Sequence, residues 1–430
     1  MTANEPKSTI QNPQSRTPAV PMSSPDITDA ERDAVAAVLQ TPFLSMGAEI
    51  GAFEAAVRDY AGSQHAIAVS SGTAGLHLCV RAAGIGPGDL VITTPFSFVS
   101  SANVLLFERA LPVFVDVDPL TGNIDPTLVH QAAVDLVEGQ EAALKWLPRK
   151  GLAAEDQRSG GAALAGGKGQ LVDTGALLKA VLPVDVFGQP ADMSPILEIA
   201  KDFDLQVIED SCEALGAEYM GGKAGTLGDY GVYAFYPNKQ ITTGEGAVIV
   251  TDDDHAADLM RSLRNQGRAP GDTWLQHTLL GYNYRLDEMS AALGRVQMGR
   301  LEELLDRRQQ VANWYAGRLA GIPGVETLSV APTTSRMSWF VYVVRFMQGI
   351  DRDAAAQKLG ERGIPARPYF LPIHLQPYMV ERFGYRSGDY PVTEDLGKRG
   401  LALPFSGVMT EGQVDQVCCA LSEVLHEAAA

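Results

Sequence analysis

The chain has 430 residues, with 34 Lys or Arg against 52 Asp or Glu, which gives a formal net charge of −18 at pH 7. Its 46% hydrophobic and 20% charged residues are typical of a globular protein of two or three domains and exclude a disordered chain. The negative charge argues against a surface for nucleic acid or anionic membranes. It does not exclude a small anionic ligand, because a local group of Arg residues can bind one.

The cysteines, histidines and apolar segments exclude several further classes. The four cysteines form no CxxC pair, and the seven histidines show no HxxxH or HExxH spacing, so neither a disulfide framework nor a metal site is indicated. The N-terminal segment lacks the apolar core of a signal peptide. The longest uncharged stretch, 90–107, contains Pro95 and several polar residues, which argues against a membrane span. We therefore expect a cytoplasmic protein.

The first half of the chain alternates between two hydrophobic periods. Helical spacing of apolar residues predicts helices over 28–39, with Thr28 as cap, 48–61 and 76–83. Short apolar runs predict strands at 65–70, 90–93, 112–117, 179–187, 205–209 and 247–251. Strands that alternate with helices predict an α/β domain with a mostly parallel sheet.

The remaining segments suggest how the chain is divided. Residues 1–21 are polar and are predicted to form a flexible tail, and a low-complexity insertion over 137–176 is predicted to be flexible. A long amphipathic stretch at 286–319 leads to a predicted strand at 339–346 and a helix at 352–362. We predict a large α/β domain over 22–275 and, over 276–430, a linking helix with a smaller α+β domain.

Three motifs could carry chemistry. Residues 70–75 (SSGTAG) lie between a strand and a helix, where backbone N–H groups and the helix dipole can bind one phosphate. Asp210 ends an apolar strand, where α/β sheets place ligands, and could pair with a cationic ring nitrogen. Lys239 lies between an aromatic segment and a Gly-rich turn, where loss of hydration favours a nucleophilic amine. Together these features match the requirements of a site for pyridoxal 5′-phosphate (PLP).

The motifs also resemble a known family, the DegT/DnrJ/EryC1/StrS sugar aminotransferases. The shared segments occur in order from about residue 22 to 409 and include FLSMG, SSGTAGLH, PVDVFGQPADM, EDSCEALGA, GDYGVYAFYPNKQITTGEG, GYNYR and RPYFLPIH. The resemblance implies PLP fold type I, the aspartate aminotransferase-like fold. It also implies that the enzyme moves an amino group from L-glutamate to a nucleotide-linked 4-keto-6-deoxy or 3-keto hexose by a ping-pong mechanism.

The resemblance further assigns roles to individual residues. Lys239 is expected to attach the cofactor and to move a proton, and Asp210 to keep the pyridine nitrogen protonated. Phe98 is expected to stack on the ring. The phosphate is expected to contact the turn formed by Gly72, Thr73 and Ala74. Asn283 is expected to reach the phosphate of the neighbouring subunit, which implies a homodimer with shared sites, although it could instead cap a helix.

The sequence departs from the family pattern at four positions. Ala234 replaces a Ser that bonds the phosphate, and Asn238 could supply a compensating donor. Glu213 replaces a His or Gln and is expected to approach the cofactor or the amino donor. Asp185 replaces a frequent His and could alter the substrate side. The diphosphate of the substrate needs cations, which are sought in the GYNYR and RPYF neighbourhoods. The candidates are Arg264, Arg268, Arg285 and Arg367, with His374 near the sugar.

Two alternatives remain open at the level of the sequence. One is a cyclitol (inosose) aminotransferase on the same scaffold, which would not need a diphosphate site. The other is a regulatory or partner-binding family member without catalysis. Related dehydratases carry His at the position of Lys239, and the presence of Lys favours amino transfer. The expected pathway is the synthesis of surface polysaccharide or of glycosylated metabolites.

Overall fold

A computed structural model describes residues 20–150, 177–269, 271–273 and 275–429 of the chain. The Gly/Ala-rich segment 157–170 and residues 1–19 of the predicted tail lie outside the described residues. The helices of the described part are α1 (Asp29–Leu39), α2 (Ala48–Ala61), α3 (Gly72–Ala82), α4 (Ser100–Phe107), α5 (Pro126–Glu138), α6 (Gln140–Leu144), α7 (Met193–Asp202), α8 (Asp254–Arg264), α9 (Glu288–Gly299), α10 (Leu301–Leu319), α11 (Arg352–Glu361), α12 (Pro377–Phe383), α13 (Pro391–Arg399) and α14 (Glu411–Ala429).

Three sheets accompany these helices. Their strands are β1 (His65–Val69), β2 (Leu90–Thr93), β3 (Leu111–Phe114), β4 (Leu178–Leu182), β5 (Gln206–Asp210), β6 (Glu218–Tyr219), β7 (Gly222–Lys223), β8 (Tyr230–Ala234), β9 (Ala247–Thr251), β10 (Val325–Thr327), β11 (Thr334–Arg336), β12 (Tyr342–Phe346), β13 (Arg367–Pro368) and β14 (Gly400–Leu403). The large sheet has the order β1-β9-β8-β5-β4-β2-β3. A four-stranded sheet, β10-β12-β14-β13, and a small sheet, β11-β6-β7, complete the set.

The large sheet is mostly parallel, as predicted. Strand β9 pairs in antiparallel fashion with β1 and β8, whereas the pairs from β8 through β5, β4 and β2 to β3 are parallel. Its strands are almost entirely buried because helices cover both faces. The carboxyl ends of β1, β2, β4, β5 and β8 therefore meet at one edge, which is where an α/β sheet places its ligands.

The predicted amphipathic stretch 286–319 forms two helices instead of one. Helix α9 ends at Gly299 and α10 begins at Leu301, with Arg300 between them. Arg300 makes ion pairs with Asp26 at 3.0 Å and with Glu31 at 2.8 Å. These contacts tie the junction of the two helices to the start of α1.

Parts of both predicted flexible segments, the C-terminal end of the tail and the N-terminal end of the insertion, are packed against the rest of the protein. Val20, which the prediction placed in the tail, is fully buried beside residues of α10 and α14. Within the predicted insertion, residues 140–144 form α6, and Trp146 Nε1 donates to Asp135 Oδ2 at 2.7 Å. Lys150 N–H then donates to the carbonyl of Phe383 at 3.0 Å. Across the described ranges, no helix is both long and apolar enough to cross a bilayer.

Candidate active site

The SSGTAG turn forms the N-terminus of helix α3. Ser71 caps the helix, since its Oγ accepts the N–H of Ala74 at 3.1 Å. The first N–H groups of a helix have no intrahelical acceptor, so those of Gly72 and Thr73 are suited to bind an anion. A Cβ on Gly72 would lie 2.9 Å from Cys212 Sγ and 3.1 Å from Ala234 Cβ. The close approach of these side chains explains why Gly is required here.

The two acidic residues at the end of β5, Glu209 and Asp210, face opposite sides of the sheet because side chains alternate along a strand. Glu209 accepts three backbone N–H groups of the 225–228 turn, at 2.6 to 2.8 Å, and so holds that turn in place. Asp210 accepts the hydroxyl of Ser101 at 2.6 Å and the N–H of Cys212 at 3.3 Å. Asp210 therefore belongs to the carboxyl edge, where its orientation is fixed by α4.

Lys239 lies in a short segment after β8 and is largely buried. Its Nζ is 3.5 Å from Glu213 Oε1 and 3.8 Å from the centre of the Phe340 ring. The other oxygen of Glu213 accepts the N–H of Phe187 at 3.0 Å. Burial raises the pKa of Glu213, and the charge of Lys239 opposes that rise. The backbone of the segment after β4, at Phe187, therefore holds Glu213 beside the amine.

Tyr369 adds a hydroxyl to this group of side chains. Its hydroxyl interacts with the Asn238 side chain, and the charges of Glu213 and Arg367 act on it. Burial, as the largest cause, raises the pKa of Tyr369 to about 12. The Oδ1 atom of Asn238 is buried and has no hydrogen-bond partner among the described residues. An unpartnered acceptor in this position is suited to a ligand with a donor group.

Phe98 is the predicted aromatic residue of the site. It lies between β2 and α4, its side chain is 63% exposed, and its carbonyl accepts the same Ser101 hydroxyl at 3.3 Å. Asn283 is exposed, and the carbonyl of the adjacent Tyr284 accepts the N–H of Ser70 at 2.8 Å. The GYNYR segment therefore borders the SSGTAG turn.

The structure does not bring every predicted residue to Lys239. His374 is fully buried, with Nε2 3.0 Å from Glu394 Oε1 and its ring against Tyr390, and burial lowers its pKa. Arg285 donates to Asn265 Oδ1 at 3.1 Å and lines a cavity of about 360 Å³ whose lining does not include Lys239. His374 is thus engaged with Glu394 and Tyr390, Arg285 lies on the side of α2 and α8, and a substrate role for either residue stays a prediction.

Arg264, Arg367 and Asp185 are three further residues for which the sequence predicts a role near the substrate, and each has different surroundings. Arg264 pairs with Glu54 at 2.5 Å, so its charge is already compensated. Arg367 lies exposed on β13, close enough to act on Tyr369. Asp185 is buried, accepts Ser211 Oγ–H at 2.5 Å and the N–H of Ala191 at 2.8 Å. Both carboxylate oxygens thus accept hydrogen bonds inside the fold, and an effect of Asp185 on the substrate side stays a prediction.

Several residues of the site escaped sequence reasoning. Ser101 follows Phe98 by three residues in a helical segment, and that spacing is a signal that could have identified it. Phe340 and Tyr369 follow Lys239 by more than 100 residues in the chain, and no local pattern connects them to it. Their contribution depends on how the smaller sheet packs against the large one.

The residues at this edge fit PLP. A buried amine, a buried carboxylate and an exposed aromatic ring lie near a helix N-terminus whose first turn contains no acidic residue. The amine suits the aldehyde of PLP, the carboxylate suits its pyridine nitrogen, the aromatic side chain suits its ring, and the helix N-terminus suits its phosphate. The fit holds without Ser at position 234, since the first N–H groups of α3 have no intrahelical acceptor and can still bind an anion.

Comparisons with known proteins agree with this assignment. The sequence model of the DegT/DnrJ/EryC1/StrS aminotransferase family matches residues 25–137 and 171–422. The chain is 37% identical over 411 residues to the GDP-perosamine synthase of Caulobacter vibrioides, covering 95% of this chain and 99% of that protein. It is 32% identical over 428 residues to the spore coat polysaccharide biosynthesis protein SpsC of Bacillus subtilis, covering 96% and 99%.

A solved structure supports the same conclusion. The crystal structure of DesV from S. venezuelae superposes with a TM-score of 0.78 at 30% identity, covering 95% of this chain and 98% of that one. The predicted fold class is therefore confirmed. The chain belongs to the DegT/DnrJ/EryC1/StrS aminotransferase family and is a PLP-dependent sugar aminotransferase.

Proposed function

We propose that this enzyme moves an amino group from L-glutamate to a nucleotide-linked keto-hexose, either a 4-keto-6-deoxy or a 3-keto sugar. The observation that carries the proposal is the position of Lys239, whose Nζ lies 3.5 Å from Glu213 at the edge that also holds Asp210 and the start of α3. The name of the Caulobacter relative, a synthase of a GDP-linked sugar, supports a nucleotide sugar as acceptor.

Each residue at the edge has a defined task in this proposal. When bound, PLP supplies an aldehyde and an electron-accepting ring. Lys239 Nζ attaches the cofactor and then accepts and returns the proton that moves during amino transfer. Asp210, oriented by Ser101, supplies the negative charge that keeps the ring nitrogen protonated.

The remaining contacts hold the cofactor and the donor. The backbone N–H groups of Gly72 and Thr73, with Ala74 behind them, bind the phosphate. With the cofactor bound, Phe98 would stack on its ring, and Asn238 Oδ1, which has no partner among the described residues, would accept from a donor group of the ligand. Glu213 places a carboxylate oxygen 3.5 Å from Lys239 Nζ, where it can approach the cofactor or the amino donor.

The nucleotide diphosphate requires a cation, and Arg367 is the best-placed candidate. It is exposed on β13, and its charge reaches Tyr369, which in turn contacts Asn238. Arg285 is the second candidate, because the cavity of about 360 Å³ beside it is open enough for part of a ligand. Arg367→Ala should raise KM for the nucleotide sugar and leave KM for L-glutamate unchanged, whereas the reverse result would place Arg367 on the amino donor.

A homodimer with shared sites accounts for the exposed apolar residues near the site. Phe43, Leu44 and Met46 in the FLSMG segment are 65%, 45% and 58% exposed, and Leu280 beside GYNYR is 86% exposed. Apolar groups of this size are usually covered in an assembly. Asn283, which is exposed in the described chain, would then reach the phosphate bound to the other subunit.

Mixing two inactive variants tests the shared site. If Asn283 acts across the interface, Lys239→Ala and Asn283→Ala chains reassort into dimers in which one site is complete, and about a quarter of the wild-type activity returns. If Asn283 acts within its own subunit, mixing restores nothing. A monomeric mass in solution would reject the shared site outright.

An absorbance spectrum tests the enzyme class. Purified protein is scanned between about 330 and 430 nm before and after addition of L-glutamate. A cofactor band that shifts with L-glutamate, and that is lost in Lys239→Ala, is the expected result. Keto-sugar nucleotides are then screened for recovery of the original band. A wild-type protein that shows no band after incubation with PLP would reject the proposal and favour a regulatory protein.

Binding of free nucleotides separates the sugar-nucleotide proposal from the cyclitol alternative. A nucleotide-sugar enzyme should bind GDP, UDP or dTDP, and the nucleotide should compete with the acceptor. A cyclitol aminotransferase should bind none of them and should recover its band with a free inosose. We further propose that the enzyme works in the cytoplasm, in the synthesis of a surface polysaccharide or of a glycosylated metabolite.

A further inference from the structure

Arg308 is a buried cation on α10 whose partners are backbone carbonyls. Its side chain is 4% exposed, and among the described residues no carboxylate lies within ion-pair distance. Nη1 donates to the carbonyls of Trp339 at 3.0 Å and Phe340 at 3.2 Å. Nη2 donates to the carbonyl of Asn238 at 3.1 Å and to that of Lys239. Four carbonyls therefore converge on one guanidinium group.

The two segments that Arg308 joins are far apart in the chain and meet at the amine. Residues 238–239 follow β8 of the large sheet, and residues 339–340 precede β12 of the smaller sheet. Across this junction, Lys239 Nζ lies 3.8 Å from the centre of the Phe340 ring. A cation over an aromatic face is held in a defined direction when the backbones of both residues are fixed.

We propose that Arg308 is a positioning residue, which orients the Lys239 amine between the Phe340 ring and the Glu213 carboxylate. The planar guanidinium is suited to this task because its donors lie in one plane with a fixed spread, and a Lys ammonium at the same position has no such geometry. The inference rests on the proposed role of Lys239 and goes beyond it, since Arg308 contacts the backbone carbonyl of Lys239 and not its amine.

The cost of burying Arg308 supports a specific role. A buried charge without a counter-ion is unfavourable, and its burial lowers the pKa of Arg308 to about 10, which still leaves it protonated at neutral pH. Four carbonyl acceptors offset part of that cost. A junction between two sheets could be formed at lower cost by apolar packing, so the guanidinium is retained for the geometry that it imposes.

Two substitutions with a matched control test the inference. Arg308→Lys keeps the charge and loses the planar fork, and Phe340→Leu removes the ring. Arg307→Lys, on the same helix at an exposed ion pair with Asp26, is the control. For each holoenzyme we would measure the pH at which the bound-cofactor absorbance changes, the single-turnover rate with L-glutamate, and the thermal unfolding temperature.

The expected result is a shifted absorbance transition and an about tenfold slower single turnover in Arg308→Lys, with a folded protein that still binds PLP. The double variant Arg308→Lys/Phe340→Leu should be no slower than the slower of the two single variants, because both changes remove the constraint on the orientation of the same Lys239 amine. Additive losses, or a transition and rate equal to those of Arg307→Lys, would overturn the inference. A wild-type protein without any cofactor band would instead reject the proposed function.

Discussion

Ser101 Oγ donates to Asp210 Oδ2 over 2.6 Å, which joins the first turn of α4 to the end of β5. Both side chains are buried, so this hydrogen bond to a carboxylate forms in surroundings with little water. It fixes the orientation of the carboxylate proposed to face the ring nitrogen. A second hydroxyl, Ser97 Oγ, lies 3.1 Å from Ser101 Oγ and extends the network away from Asp210.

We expect Ser101→Ala to weaken PLP binding and to slow amino transfer. Removal of the donor leaves a buried carboxylate oxygen short of one hydrogen bond, at a cost of about 1–3 kcal/mol. Equilibrium titration of the apo-enzyme with PLP measures the change. Ser97→Ala is the matched control and should bind PLP within a few-fold of the wild type. Equal losses in the two variants would show that the loop, and not the hydrogen bond to Asp210, sets the affinity.

The contact between Gly72 and Cys212 offers a second prediction. A methyl group on Gly72 would meet Cys212 Sγ at 2.9 Å, a distance that forces one of them to move. Gly72→Ala should therefore lower PLP affinity by about tenfold, because the first turn of α3 shifts relative to the phosphate. Truncation of the thiol in Gly72→Ala/Cys212→Ala should restore most of that loss.

The Cys212→Ala single variant completes this comparison. It should bind PLP nearly as well as the wild type, so that the two changes are strongly non-additive. PLP titrations of the four proteins give the coupling energy directly. A double variant as weak as Gly72→Ala alone would mean that the lost affinity comes from the helix terminus itself rather than from the clash.

Local pattern predicts much of this architecture because each of its elements is short and follows a single period. Six of the seven strands of the large sheet are anticipated. Asp210 and the SSGTAG turn are singled out because they stand at the ends of predicted strands, and Lys239 because it lies between an aromatic segment and a Gly-rich turn. Strand β8 is missed because Gly231 interrupts its apolar run. That Gly is required, since a Cβ there would lie 1.9 Å from the carbonyl oxygen of Gly225.

Contacts between distant segments escape such reasoning. Nothing near Arg308 in the sequence distinguishes it from Arg307, yet the first is buried among carbonyls and the second is an exposed ion pair. In the same way, His374 follows the family-like segment RPYFLP but packs against Glu394. Tertiary packing alone determines which of these side chains faces the site.

His374 carries a prediction about pH. Burial lowers its pKa in the folded protein below the ordinary value of 6.5, so the unfolded chain takes up the proton first as the pH falls. The stability that neutral His374 contributes is therefore lost as the pH falls below about 6.5. His374→Gln should be less stable by about 1–3 kcal/mol near pH 7.5, because its packing against Tyr390 and Glu394 is altered.

The difference between His374→Gln and the wild type should shrink as the pH falls to about 5, because the variant has no such proton uptake. Urea unfolding at a series of pH values measures it. The KM values for both substrates should stay within a few-fold of the wild type at neutral pH. A large rise in KM for the nucleotide sugar alone would return His374 to the substrate site.

Asp185 carries the opposite prediction. Burial is the largest cause that raises the pKa of Asp185, and the nearby charge of Glu209 raises it further. As the pH rises above about 3.8, the ordinary pKa of Asp, the unfolded chain therefore loses this proton while the folded protein keeps it. Stability is then lost as the pH rises through that window. Asp185→Asn keeps the acceptor for Ala191 N–H, and the amide that replaces the oxygen beside Ser211 Oγ carries no charge.

Asp185→Asn should therefore gain stability relative to the wild type as the pH increases from about 5 to 9, while the two proteins are closest at the acid end. Thermal unfolding across that range measures the difference, and Asp202→Asn, an exposed residue of α7, is the control that should show no such trend. An Asp185→Asn protein that is destabilised by the same amount at every pH would mean that the folded state holds the ionised carboxylate. In that case the Ser211 hydroxyl would donate to a buried carboxylate, and Asp185 would carry a negative charge at the working pH.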